Sequence, residues 1–215
     1  MDQKELNQEF LDSLLQGDFR KCQKIVNSYI ADQHNITELY EFIFKENLYK
    51  VGDLWEFNKI SVAEEHIATS VVEAIMSGMF YDIISKERIQ KSVIITSIEG
   101  EQHQIGSKMV ADIFEKNGWD AFFLGANTPT RELISFIHKK KPDVVALSIS
   151  IFFNMNVLEE TLETLTIEFP ELKILVGGQA FRHGGVKILD KFQNVSFMHD
   201  LNDLEEFLQS NNKLY

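Results

Sequence analysis

Two short patterns in the sequence carry side chains able to hold or shield a metal. The first is Glu101-x-His103-x-x-Gly106, directly after the apolar run Val93-Ile94-Ile95-Thr96. An imidazole in such a loop can ligate a metal through one ring nitrogen. A carboxylate two residues away can accept a hydrogen bond from the other nitrogen and raise the basicity of the ligand. The second is Trp55, then nine residues, then Glu65-His66. An aromatic plate beside an acid and an imidazole can pack on a flat ring system. Each pattern has a plainer origin: an incidental loop histidine, a core tryptophan, an acidic helix start. Together they point to a large, flat, metal-centred cofactor held between two domains.

The elements that must position these residues differ between the two halves. All three prolines, at 129, 142 and 170, lie in the second half, so no proline interrupts a helix in the first. Phe10, Leu11, Leu14 and Leu15 share a helical face that Gly17-Asp18 ends. Phe19, Cys22, Ile25, Val26 and Ile30 form a second helix, Ile36 to Ile43 a third, and Leu48 to Trp55 a short fourth. Ser61-x-x-Glu64 is a capping box opening a helix that runs to about Ile84. Residues 1–88 therefore read as a four- to five-helix bundle.

After Lys86-Glu87-Arg88 short apolar runs alternate with amphipathic stretches. Strands are expected at 93–97, 121–124, 144–148, 173–176 and 195–198. Helices are expected at 106–117, 130–140, 157–169, 186–191 and 201–209. This alternation predicts a five-stranded parallel, doubly wound, flavodoxin-like sheet over residues 89–215. Sites in such sheets lie at the carboxyl ends of the strands. There Gly106, Ser148, Gly177 and Gly178 would line a slot of small groups beside His103.

Net charge is −12, from 21 Lys and Arg against 33 Asp and Glu, which argues against direct contact with nucleic acid. The lone cysteine, Cys22, excludes an internal disulfide and a multi-cysteine metal site. No run approaches a membrane span, and the polar start is no signal peptide, so a soluble cytoplasmic protein is expected. No nucleophile–base pair stands out, and a mutase would need a further barrel of about 250 residues. Catalytic turnover is not expected.

The Glu101–His103–Gly106 loop resembles the cobalamin-binding signature Asp-x-His-x-x-Gly, with its later Ser-x-Leu and Gly-Gly elements. The resemblance implies that His103 is the lower cobalt ligand, with Glu101 its hydrogen-bond partner. It implies that Gly106, Ser148, Gly177 and Gly178 line the slot for the displaced nucleotide tail. Glu101 stands where Asp is commoner, and Ser148-Ile149-Ser150 lacks the apolar third position.

Trp-x9-Glu-His, Gly100-Glu101-Gln102-His103 and Leu124-Gly125-Ala126-Asn127-Thr128-Pro129 resemble the light-sensing, adenosylcobalamin-dependent regulators, here lacking their DNA-binding domain. Trp55 would shield the upper cobalt face, with Glu65 and His66 at the adenosyl group. Glu56 follows Trp55 where some members carry a histidine. The expectation is a cobalamin photoreceptor that signals through a regulatory partner protein or a change of homo-oligomer. The alternative is a corrinoid carrier subunit of a methyltransferase system, with methylcobalamin as its working form. A third reading, an α/β protein with an accidental motif, stays open at this point.

Overall fold

The computed structural model describes residues 2–212. It divides into two compact units, one ending at Ile83 and the other starting at Ile84. Residues 84–88, expected with the helices, belong to the sheet unit. Ser85 N–H donates to the Glu115 carbonyl at 3.1 Å. Arg88 bridges Glu115 and Asp120, at 2.8 Å each.

The first unit is helical: α1 (Gln3–Leu15), α2 (Phe19–Ala31), α3 (Ile36–Glu38), α4 (Glu46–Glu56) and α5 (Val62–Ile83). Asp18, which the sequence marks only as a helix break, accepts from the Lys21 amide at 3.0 Å and caps α2. Ser61 and Glu64 close a capping box before α5, at 2.7 and 3.3 Å. The third and fourth helices are not separate. A π-helical segment, Leu39–Lys45, joins α3 to α4. Neither glycine nor proline occurs between Ile36 and Val51 to end the run. The wider π turns add a residue to the register, and Leu39, Tyr40, Ile43, Phe44 and Val51 all stay buried. Cys22 is fully buried. Burial, with a smaller push from Asp18, raises its thiol to about 12, so it behaves as a small apolar side chain.

The second unit has the order β1 (Ser92–Ser97), α6 (Ile105–Lys116), β2 (Asp120–Gly125), α7 (Thr130–Lys140), β3 (Val144–Ser148), α8 (Met155–Glu168), β4 (Lys173–Gly177), β5 (Val195–Phe197), α9 (Leu201–Asn212). The five strands pair in parallel in the order β2-β1-β3-β4-β5. This is the flavodoxin-like doubly wound order, as the alternation predicts. Ile94, Val145, Leu147, Ile174 and Val176 pack with Leu133 and Ile137 of α7 and Leu158, Leu162 and Leu165 of α8. Alternate positions such as Val93 and Ile95 are buried too, as in strands covered on both faces. Val186–Lys191, expected as an α-helix, is a 3-10 segment opened by Gly185 at φ +90°. No helix among the described residues is long and apolar enough to cross a membrane.

Candidate functional site

The carboxyl ends of β1 and β3 lie side by side, with Ser97 opposite Ser148. The loop after β1 carries Glu101 and His103. The Glu101 side chain has no exposed surface, while that of His103 is 54% exposed. Glu101 Oε1 meets His103 Nδ1 at 2.5 Å and accepts the His103 backbone N–H at 3.1 Å. Its other oxygen, Oε2, accepts from the backbone amides of Ser150 and Ile151 at 2.9 and 2.8 Å, and from Asn154 Nδ2 at 3.4 Å. One carboxylate thus ties the histidine loop to the loop after β3.

Burial alone would raise the Glu101 pKa. The bonds from His103, Ile151 and Ser150 outweigh it and bring it down to about 2. Because the folded value lies below the ordinary 4.5, the linked stability is complete above the unfolded pKa. It is lost as pH falls through the folded one. The full linkage is worth roughly 3 kcal/mol. Urea midpoints measured from about pH 6 to about pH 3 should therefore fall more steeply for the wild type than for Glu101→Gln. Equal slopes would show that the anion contributes nothing to the fold.

The remaining loop is fixed by residues that the motif did not single out. Ser97 Oγ donates to the His103 carbonyl and Ser107 Oγ to the Gln104 carbonyl, each at 2.8 Å. Asn127, at φ +51°, accepts the Gly100 amide on its side chain at 2.8 Å and donates its own amide to the Glu101 carbonyl at 2.8 Å. Thr96 Oγ1 reaches Thr128 Oγ1 at 2.6 Å. The available signal was small hydroxyl and amide side chains at strand ends, which sequence reading treats as turn formers.

The small residues divide into two kinds. A Cβ on Gly106 would meet only Ser148 Oγ, at 3.8 Å. The fold itself therefore does not require glycine there, and the space beside Ser148 remains open to a ligand. Gly178 has a backbone reason. It sits at φ +124°, and a Cβ would come within 2.1 Å of the Ile149 carbonyl oxygen. At Gly177 a Cβ would lie 3.0 Å from the Met198 carbonyl. The departure at Ser148-Ile149-Ser150 is harmless for a related reason: Ile149 is buried, and position 150 contributes its amide to Glu101.

In the helical unit Trp55 is 50% exposed and so stands outside the bundle core. Glu65 accepts from Thr69 Oγ1 at 2.9 Å. His66 is largely exposed and lines a groove with Phe19, Ile67, Ser70, Val71 and Ala74. Among the described residues no group of three or more His, Cys, Asp and Glu could hold a bare ion. A buried carboxylate that orients one half-exposed imidazole, beside space left by small residues, suits a metal that arrives already chelated.

Residues 91–194 match a B12 binding domain family, and residues 6–77 match a second family of the same description. The chain is thus similar to B12 binding domains in both of its units. The trimethylamine corrinoid protein 2 of Methanosarcina acetivorans is 26% identical, aligned over 80% of this chain and 82% of its own length. The monomethylamine corrinoid protein of Methanosarcina barkeri has the same fold, with a TM-score of 0.79 at 15% identity, over 97% of this chain and all of that one.

The HTH-type transcriptional repressor CarH of Myxococcus xanthus is 27% identical over 61% of this chain, but the match spans only 44% of the repressor. These findings overturn the photoreceptor expectation. The relatives matched over most of their own length carry the name trimethylamine corrinoid protein. Trp-x9-Glu-His is three residues in a 12-residue span, and it does not outweigh similarity over 184 residues.

Proposed function

We propose that this chain is the corrinoid subunit of a methyltransferase system, a carrier and not a catalyst in its own right. The observation that carries the reading is the His103–Glu101 pair on a B12 binding domain, in a chain resembling corrinoid proteins over most of its length. When bound, cobalamin supplies a cobalt centre that takes up and gives up a methyl group, so methylcobalamin, not adenosylcobalamin, is the working form.

The protein's own part is to hold and tune that centre. Glu101 engages Nδ1, so Nε2 is the nitrogen that would ligate cobalt from below. A carboxylate anion behind the ring raises its basicity and fixes its tautomer. Ser97 and Ser107 pin the carbonyls of His103 itself and of Gln104 after it. Gly106, Ser148, Gly177 and Gly178 border the space for the nucleotide tail. Trp55, Glu65 and His66 of the helical unit are further candidate cofactor contacts, and the cobalt must stay accessible to donor and acceptor enzymes. The partners are therefore methyltransferases.

Methylated amines are the first donors to test, given the relatives' names. The protein is reconstituted with hydroxocobalamin, reduced, and mixed with trimethylamine and a trimethylamine:corrinoid methyltransferase, or with the corresponding monomethylamine pair. The absorbance should convert to that of methylcobalamin in stoichiometric amount. Reduced protein that methyl iodide methylates, but that no donor enzyme does, would refute the carrier reading.

A further inference from the structure

Immediately after Ser150 and Ile151, whose amides hold Glu101, the chain makes a 3-10 turn, Phe152–Asn154. Two consecutive phenylalanines stand on it. Phe152 is 43% exposed and Phe153 94% exposed. Single exposed apolar residues are ordinary on a protein surface. This pair differs because its backbone is rigidly placed. Ile151 and Asn154 close the turn at 3.0 Å, the Asn154 side chain also reaches Glu101, and the Phe152 ring meets His183 edge-on at 6.3 Å. The rings project from a fixed turn, and the carboxylate that fixes it also orients His103.

We propose that Phe153, supported by Phe152, is a cofactor contact that covers part of the apolar rim of the corrin. This rests on the assignment of His103 as the cobalt ligand. β1 and β3 are hydrogen-bonded neighbours, so the loops that leave them start roughly 4.8 Å apart. A corrin extends further than this on every side of its metal. A macrocycle centred over His103 must therefore overhang the loop after β3, where the two rings are presented. Tethering that loop through Glu101 makes the ligand and the apolar contact one rigid unit, so little ordering is left to be done on binding. A partner protein is the competing occupant. It would give no reason for the turn to be anchored on the ligand's own carboxylate.

The test compares hydroxocobalamin binding to wild type, Phe153→Ala, Phe153→Leu and His103→Ala, by absorbance titration and by release into excess competing cobalamin-binding protein. Because the Phe153 ring is almost wholly exposed, Phe153→Ala should keep the wild-type urea midpoint. It should bind cobalamin about tenfold or more weakly, while the bound fraction keeps the histidine-ligated spectrum. Phe153→Leu should recover most of the affinity.

Wild-type affinity in Phe153→Ala, with His103→Ala impaired, overturns the corrin contact alone. If methyl uptake from a donor methyltransferase then slows, the ring belongs to a protein interface. If wild type and His103→Ala bind alike, or neither binds, the ligand assignment fails and this inference falls with it.

Discussion

Replacing His103 by alanine should abolish the histidine-ligated cobalamin spectrum and weaken binding by more than about tenfold, the range typical for loss of an oriented metal-site group. The Glu101 carboxylate is buried and holds the imidazole at 2.5 Å through Nδ1. The orientation of the ring is therefore built into the protein before any cofactor arrives.

Without the ring, Glu101 keeps its bonds to Ser150, Ile151 and Asn154 and to the amide of residue 103. The fold should then lose only about 1–3 kcal/mol, the value of one charge-assisted hydrogen bond. Loss of ligation and loss of folding are thus separable in one variant. The decisive measurement is electron paramagnetic resonance of the reduced Co(II) form. With nitrogen-15 in its histidines, the wild type should show the doublet splitting of a labelled protein imidazole, and His103→Ala should lose that doublet, leaving no splitting or the triplet of the cofactor's own unlabelled benzimidazole. A labelled doublet that persists in His103→Ala would remove His103 from the metal.

Much of this arrangement is legible in the sequence because local chemistry sets it. The expected limits of β3 and α7 agree with the structure at both ends. The apolar run Val144–Leu147 ends in the polar Ser148, and Pro129 opens α7 while Lys141 in the left-handed region closes it. Gly118 ends α6 for a reason specific to glycine: a Cβ there would meet the Glu87 carbonyl at 2.6 Å. The Glu101–His103 bond is also local, spanning two residues.

The illegible parts are non-local or conformationally unusual. No spacing rule links Glu101 to amides 49 and 50 positions away. Those bonds arise only because β1 and β3 are adjacent, and backbone donors carry no side-chain signature. The π segment Leu39–Lys45 joins what the spacing reads as separate third and fourth helices, because its wider turns shift the apolar residues after Ile43 off a 3.6-residue period. The assignment to light-sensing regulators went wrong for another reason. Trp55 and His66 are exposed in the helical unit. Exposed aromatic, acidic and imidazole side chains are compatible with several roles, so the motif marks a kind of surface and does not select an output.

The largest loss of stability should come from Gly178→Ala, which is expected to cost more than about 3 kcal/mol. At φ +124° and ψ 169° the residue occupies backbone space essentially reserved for glycine. The added methyl would lie 2.1 Å from the Ile149 oxygen and 2.9 Å from its nitrogen and carbonyl carbon, all backbone atoms that no rotamer change can move. Relief requires the loops after β3 and β4 to separate. That breaks the bonds from the Ile149 amide to the Gly177 carbonyl, at 3.1 Å, and from the Ala180 amide to the Ile149 carbonyl, at 3.3 Å.

The damage should not stop at stability. Ser150 and Ile151 follow Ile149 directly, and their amides hold Glu101. Any protein that still folds should therefore orient His103 poorly and show mixed axial ligation. Gly106→Ala is the matched control. Its methyl would find only the Ser148 hydroxyl at 3.8 Å, so its urea midpoint should stay within about 0.5 kcal/mol of wild type while cobalamin affinity drops. If instead Gly178→Ala folds normally and Gly106→Ala binds cobalamin normally, then Gly178 is not a steric requirement and Gly106 is not part of the tail slot.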